Sequence, residues 1–169
     1  MKKVRLIITY DCNKNCTGCC NKNWKYAPPK IAYSWDLLKF DEIYITGGEP
    51  MLVYDNMVGL VQFIKKNSAA KIFLYTAYPY PKYKFLNILR LIDGTTVTIH
   101  DKLDAHKFFH LKYFDLKIKN KSMRLNVFGG GIIPNQNLWE IKFIEWVKDC
   151  PLPDGEVLMR LNNLYEVKH

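Results

Sequence analysis

The sequence predicts an α/β fold with parallel strands, and three observations support this prediction. Six runs rich in β-branched and aromatic residues recur along the 169 residues, as expected of strands. Segments with helical spacing separate them, and this alternation implies parallel pairing, because a parallel crossover usually contains a helix. The chain is too short for a closed eight-stranded barrel, which needs roughly 250 residues. We therefore expect a partial (βα)6 barrel, open on one side, that forms a single domain over residues 1–169; an open doubly wound sheet is the second choice.

The six predicted strands are short apolar runs that end where polar or turn-forming residues begin. The third run, KIFLYT, is typical, since it combines β-branched with aromatic residues and is followed by a loop with two prolines. Turn-forming residues of this kind commonly follow the last residue of a strand. The predicted strands cover residues 4–9, 42–46, 71–76, 95–100, 123–128 and 156–161.

The predicted helices are segments in which apolar residues recur every three or four positions. A short first helix is expected over residues 34–40 and a later one over 104–113. Three further stripes carry the periodicity. They consist of Met57, Leu60, Val61 and Ile64, then of Phe85, Ile88, Leu89 and Ile92, and finally of Leu138, Ile141, Ile144 and Val147.

Composition and charge restrict the class of protein. Apolar residues make up 49% of the chain and charged residues 24%, which is typical of a globular fold. The net charge of +9 should attract acidic partners. The segment 106–124 mixes lysines with aromatic residues, a pattern that can indicate nucleic-acid binding, but a helix with a solvated lysine face is favoured. The short basic start does not resemble a signal peptide and no apolar stretch is long enough for a membrane span, so we expect a cytoplasmic protein with no membrane partner.

A cysteine cluster follows the first predicted strand, in the stretch DCNKNCTGCCN. Five cysteines are an odd number, and four of them fall within nine positions, which favours a metal site over a disulfide framework. Cys12, Cys16 and Cys19 could hold three irons of a cubane and leave the fourth iron without a protein ligand. The alternative is structural zinc bound by these three and Cys20, although zinc sites more often use two separated pairs.

A glycine motif, YITGGEP, ends the second predicted strand. The carboxyl ends of parallel strands meet at one edge of a sheet, where ligands bind, so this motif should lie beside the cysteines. Gly47 and Gly48 lack side chains and let the backbone approach a ligand closely, while Glu49 adds an anionic group and Pro50 completes the motif. Either motif alone has an ordinary structural explanation, but their order at consecutive strand ends is specific.

Together, the C-x3-C-x2-C spacing, the Gly-Gly-Glu-Pro turn and the βα rhythm resemble the radical S-adenosylmethionine (SAM) superfamily. The resemblance implies a 4Fe-4S cluster whose unique iron is chelated by the amino and carboxylate groups of SAM. The glycine motif would contact the methionine amino group. Reductive cleavage of SAM would yield a 5'-deoxyadenosyl radical that abstracts hydrogen from a substrate. The cofactors would carry out the bond cleavage, and the protein would bind and orient the reactants.

Further cofactor-binding residues are expected at later strand ends. Thr76, Thr98 and His100 resemble places from which superfamily members reach the ribose or the methionine carboxylate. Arg124 and Asn126 point to one face of the fifth predicted strand by the period-two rule, and an arginine there could pair with a carboxylate.

Gly18 departs from the superfamily pattern, because many members have an aromatic residue just before the third cysteine, near the adenine. Another side chain must therefore flank the base. The candidates are Tyr10, Trp24 and Tyr75.

The glycine at that position also resembles the C-x3-C-x-G-C-x-N pattern of the activases of anaerobic ribonucleotide reductase, although Asp11 stands where those activases usually have glycine. This resemblance implies that the substrate is a glycyl residue of a large partner protein. An acidic electron donor such as a flavodoxin would dock on the basic surface. The alternatives are a radical SAM enzyme acting on a small molecule or nucleotide, as in deazaguanine modification of transfer RNA, and a non-catalytic zinc or iron–sulfur binding module.

Overall fold

The fold is an open α/β sheet in which every strand is parallel. The computed structural model describes residues 1–21, 29–111, 121–129, 139–147 and 151–162. Within these ranges eight strands form one sheet in the order β2-β8-β1-β3-β4-β5-β6-β7, and the sheet does not close. The strands are β1 (Lys3–Thr9), β2 (Lys30–Ala32), β3 (Glu42–Gly47), β4 (Lys71–Thr76), β5 (Gly94–Ile99), β6 (Ser122–Phe128), β7 (Glu140–Ile144) and β8 (Glu156–Leu161).

Helices connect the central strands and cover one face of the sheet. They are α1 (Tyr54–Asn67), α2 (Lys82–Leu91) and α3 (Lys102–Leu111), preceded by two 3-10 helices, Ser34–Lys39 and Pro50–Val53. The apolar stripes at 57–64 and 85–92 are buried as predicted, and they form one core with alternate residues of the strands. Because successive strand residues face opposite sides, the other face of the sheet carries polar and aromatic residues.

The predicted class, with parallel strands and an open side, is confirmed, but the described part of the chain contributes eight strands to the sheet rather than six. β2 and β7 are the additions, and each forms an edge of the sheet. The last predicted strand, β8, pairs with β1 and β2. It therefore lies at the opposite end of the sheet from β6.

The predicted helix through Ile141, Ile144 and Val147 is wrong, because residues 140–144 form β7. Leu138, the first residue of that stripe, lies outside the described residues. In the register of β7 with β6, Ile141 is paired with Leu125. Trp139 and Ile141 pack against the core. The stripe fits a helical period, but the open edge of β6 offers backbone hydrogen bonds and the segment is rich in residues that suit strands.

Candidate functional site

A cavity of about 410 Å³ lies at the carboxyl edge of the sheet. It brings together most of the predicted site residues, from five separate places in the sequence. Those that line it are Cys12, Cys16, Cys19, Gly47, Gly48, Glu49, Thr76, Thr98, His100 and Asn126.

Two predicted residues lie elsewhere. Pro50 is buried at the start of the 3-10 helix that follows the glycine turn, where its missing N–H costs nothing. Arg124 is exposed on β6, and its Nε lies 3.3 Å from the Glu140 carboxylate on β7. Asn126, two residues further along the same face, reaches the cavity.

The Gly-Gly turn is packed directly on the start of the cysteine loop, residues 11–21. Gly47 has a φ of 130°, which favours glycine. The Gly48 N–H donates to the Thr9 carbonyl over 2.7 Å, and the Glu49 N–H donates to the Asp11 carbonyl over 2.7 Å. Glycine is needed here for the close approach of two loops of the protein itself, and the approach of this turn to a ligand stays a prediction.

Asn21 makes a second link between the same two segments. Its side-chain amide donates to the Gly47 carbonyl over 2.5 Å. The cysteine loop is therefore tied to the glycine turn at both of its ends, and the cysteines lie between the two ties.

Glu49 turns its carboxylate into the protein rather than presenting it freely to the cavity. Its two oxygens accept hydrogen bonds from the Thr76 hydroxyl (2.6 Å), the Met51 N–H (3.0 Å) and the Ala77 N–H (2.9 Å). Burial raises the pKa of Glu49, and these donors oppose the rise. The side chain thus joins the ends of β3 and β4, and it engages the Thr76 hydroxyl, which also accepts from the Tyr78 N–H.

Three free thiols project from the cysteine loop. Cys12 is exposed, while Cys16 and Cys19 are partly buried; Cys20 is disulfide-bonded. Burial raises the pKa of Cys16, and the neighbouring Cys19 and Cys12 raise it further. Among the described residues, no group of three or more His, Cys, Asp or Glu side chains is arranged to hold a metal ion.

A buried ion pair fixes the cysteine loop to the end of β5. Lys14, between the first two cysteines, donates to the Asp104 carboxylate on α3. The other Asp104 oxygen accepts the His100 N–H over 3.0 Å and lies 3.4 Å from His100 Nδ1. Burial alone would raise the pKa of Asp104, but His100 and Lys14 outweigh it and hold that pKa below its ordinary value. The pair could not be predicted from the sequence, because neither Lys14 nor Asp104 is a defined position of the cysteine or glycine motif.

An aromatic wall, made of His100, Phe128 and Trp146, closes one side of the cavity. The Phe128 and Trp146 rings stack with centroids 4.1 Å apart, and His100 stacks on Phe128 at 5.2 Å. A Cβ added to Gly18 would lie 2.5 Å from the Trp146 indole. The indole therefore occupies the space that an aromatic side chain at position 18 would need, which explains the departure at Gly18.

The aromatic residues predicted to flank an adenine are placed differently. Tyr75 lines the cavity, and the Arg5 guanidinium lies 4.9 Å from its ring centroid. Tyr10 is about half exposed and is not in the lining. Trp24 lies outside the described residues. Trp146 was missed because the segment was predicted as a helix.

The fold and the site define an α/β protein whose free thiols gather in a cavity at the carboxyl edge of a parallel sheet. Residues 3–122 match the family described as a 4Fe-4S single cluster domain. Because the match covers more than half of the chain, the protein belongs to that family. The matched region contains the cysteine loop and the glycine turn, whereas β7 and β8 lie beyond it.

A search of curated proteins found no match. Among the described residues, no helix combines the length and the apolar character that a bilayer span requires.

Proposed function

We propose that this protein is a radical SAM enzyme that carries out its chemistry in the cavity described above. When bound, the 4Fe-4S cluster and SAM would supply a 5'-deoxyadenosyl radical for hydrogen abstraction. The single observation that carries the proposal is that three free thiols and the Gly47–Gly48 turn line one cavity. We further propose that residues 1–169 act as one core domain, since the strands form a single sheet.

The donor set fits such a cluster in its chemistry. A fully protein-ligated 4Fe-4S cluster uses four cysteines, whereas Cys12, Cys16 and Cys19 are three free thiols. A cluster on these residues would leave one iron for another ligand. Because the three side chains are not arranged to hold a metal ion as they stand, assembly of a cluster would have to draw the three sulfurs together.

The remaining lining residues would bind and orient SAM. Backbone carbonyls of the Gly47–Gly48 turn would accept from its ammonium group. Thr98, His100 and Asn126 present polar groups in the same cavity and would bind the ribose or the carboxylate. Because the Thr76 hydroxyl is engaged by Glu49, Thr76 would act by positioning the turn. The aromatic wall and neighbouring prolines would help to exclude water, which protects a reactive radical.

For the substrate, we propose a glycyl residue of a large partner protein. The sequence pattern around Gly18 supports this choice. So does the exposed apolar surface beside the cavity, where Val147 is 61% and Trp146 is 44% exposed. The test is to incubate the reduced enzyme and SAM with a reductase that carries a C-terminal glycine motif. The electron paramagnetic resonance signal of a glycyl radical is expected on the partner. Its absence on such a partner would favour a small-molecule or nucleotide substrate.

An acidic flavodoxin is the proposed electron donor, because the net charge of the chain is +9 and opposite charges speed association. The rate of cluster reduction by flavodoxin should fall as salt is added. A rate that does not depend on ionic strength would exclude this docking mode.

The proposed activity is tested by anaerobic reconstitution with iron and sulfide, followed by dithionite and SAM. We expect 5'-deoxyadenosine and methionine in equal amounts. Cys16→Ala should abolish both products, and Thr17→Ala, the matched control at an exposed position of the same loop, should retain them. One zinc per chain with no sulfide would overturn the proposal in favour of a binding module.

A further inference from the structure

We propose that Lys14 and Asp104 form a charge pair that holds the cysteine loop in place and sets the electron affinity of the cluster. This inference rests on the proposed function only in requiring that a cluster binds to Cys12, Cys16 and Cys19; it does not depend on the substrate. Neither residue belongs to the motifs that indicate cluster or SAM binding.

The pair joins a rigid part of the fold to the cluster-binding loop. Asp104 lies in the first turn of α3, where its N–H donates to the Asp101 carboxylate over 2.8 Å. Its own carboxylate accepts the His100 N–H at the end of β5. Asp104 is therefore held in place by contacts that do not involve Lys14. Lys14 is the residue whose position depends on the pair.

Burial makes the pair electrostatically effective. The Asp104 side chain is 3% exposed and the Lys14 side chain 16%, so solvent and salt screen their charges little. Lys14 is separated from Cys12 and from Cys16 by a single residue on each side, and it lines the same cavity as the thiols. Both charges therefore act on any cluster held by these cysteines.

The two charges should act on the cluster in opposite directions. Reduction adds one negative charge, so a nearby cation favours the reduced state and a nearby anion favours the oxidised state. In the intact pair the two effects offset one another. Removing Lys14 leaves an uncompensated anion, whereas removing the charge of Asp104 leaves an uncompensated cation.

The test is a redox titration of the reconstituted full-length protein, with its iron and sulfide content measured in parallel. Lys14→Met should lower the midpoint potential and Asp104→Asn should raise it. The double variant should return close to the wild-type value, and Lys14→Arg should keep it. Lys66→Met removes an exposed lysine of α1 and serves as the matched control for the loss of one positive charge.

A role that is only structural predicts a different pattern. Loosening the loop would shift the potential in the same direction for both single variants, and that result would overturn the inference. Potentials that differ from the wild type no more than that of Lys66→Met would also overturn it.

The two proposals fail in different ways. If Asp104→Asn does not fold, the contrast between Lys14→Met and Lys14→Arg still decides, because only the former loses the charge. A cluster with the expected potentials that does not cleave SAM would refute the proposed function and leave this inference standing. Failure of the wild type to bind any cluster would refute both.

Discussion

Replacing Gly48 with alanine should destabilise the protein by about 1.5–4.5 kcal/mol, because the added methyl group has no space. Its carbon would lie 2.0 Å from the Asp11 carbonyl oxygen and 2.6 Å from the Asp11 carbonyl carbon. Both are backbone atoms, so relief requires a shift of the chain itself. Overpacking costs about 1–3 kcal/mol. Moving Asp11 also weakens the hydrogen bond from the Glu49 N–H, which contributes about 0.5–1.5 kcal/mol.

The assay is urea denaturation of the cluster-free full-length protein, followed by circular dichroism. Gly59→Ala is the matched control, because a Cβ at Gly59 would meet no atom within 4 Å. Gly59 lies inside α1, where alanine is favoured over glycine by about 1 kcal/mol, so this variant should be more stable than the wild type. A Gly48→Ala variant within about 0.5 kcal/mol of the wild type would refute the packing of the glycine turn on the cysteine loop.

Three further predictions test the surroundings of the site. Glu49→Gln should lower stability by about 1–3 kcal/mol, because its amide group must face a buried donor; an unchanged melting temperature would contradict this. Although burial raises the pKa of Asp93, Lys65 and the Ile72 N–H hold it below its ordinary value of 3.8. This stabilisation is present above pH 3.8 and is lost as the pH falls, so Asp93→Asn should flatten the acid side of a stability–pH curve; an unchanged slope would refute the assignment. Gly18→Ala should destabilise the protein less when Trp146 is also alanine, as measured by a double-mutant cycle; additive effects would exclude their contact.

The central fold could be predicted because its signals are local. The third predicted strand has the same bounds as β4, Lys71–Thr76, and the stripe of α1 is buried in full. The edges could not be predicted, because their structure depends on distant partners. Ile141 and Ile144 fit a helical period, yet the open edge of β6 makes their segment a strand. The position of β8 beside β1 is likewise a choice among strand partners that local periodicity does not encode.

The site, like the fold, has features that could be predicted from the sequence and features that could not. The cysteines and glycines could be predicted to meet because they follow consecutive strands of a parallel sheet, and both motifs line the cavity. The Lys14–Asp104 pair joins residues 90 positions apart, and neither residue is unusual in its local sequence. Trp146 explains Gly18 only once β7 places the indole over the cysteine loop.

The central claim is that one iron of a cluster held by Cys12, Cys16 and Cys19 has no protein ligand and is open to SAM. The most direct test is the electron paramagnetic resonance spectrum of the reduced, reconstituted protein, recorded with and without SAM. The spectrum should change when SAM is added. Addition of the same buffer without SAM should leave it unchanged. A spectrum that is identical with and without saturating SAM would contradict the claim, since no ligand would then have reached the iron.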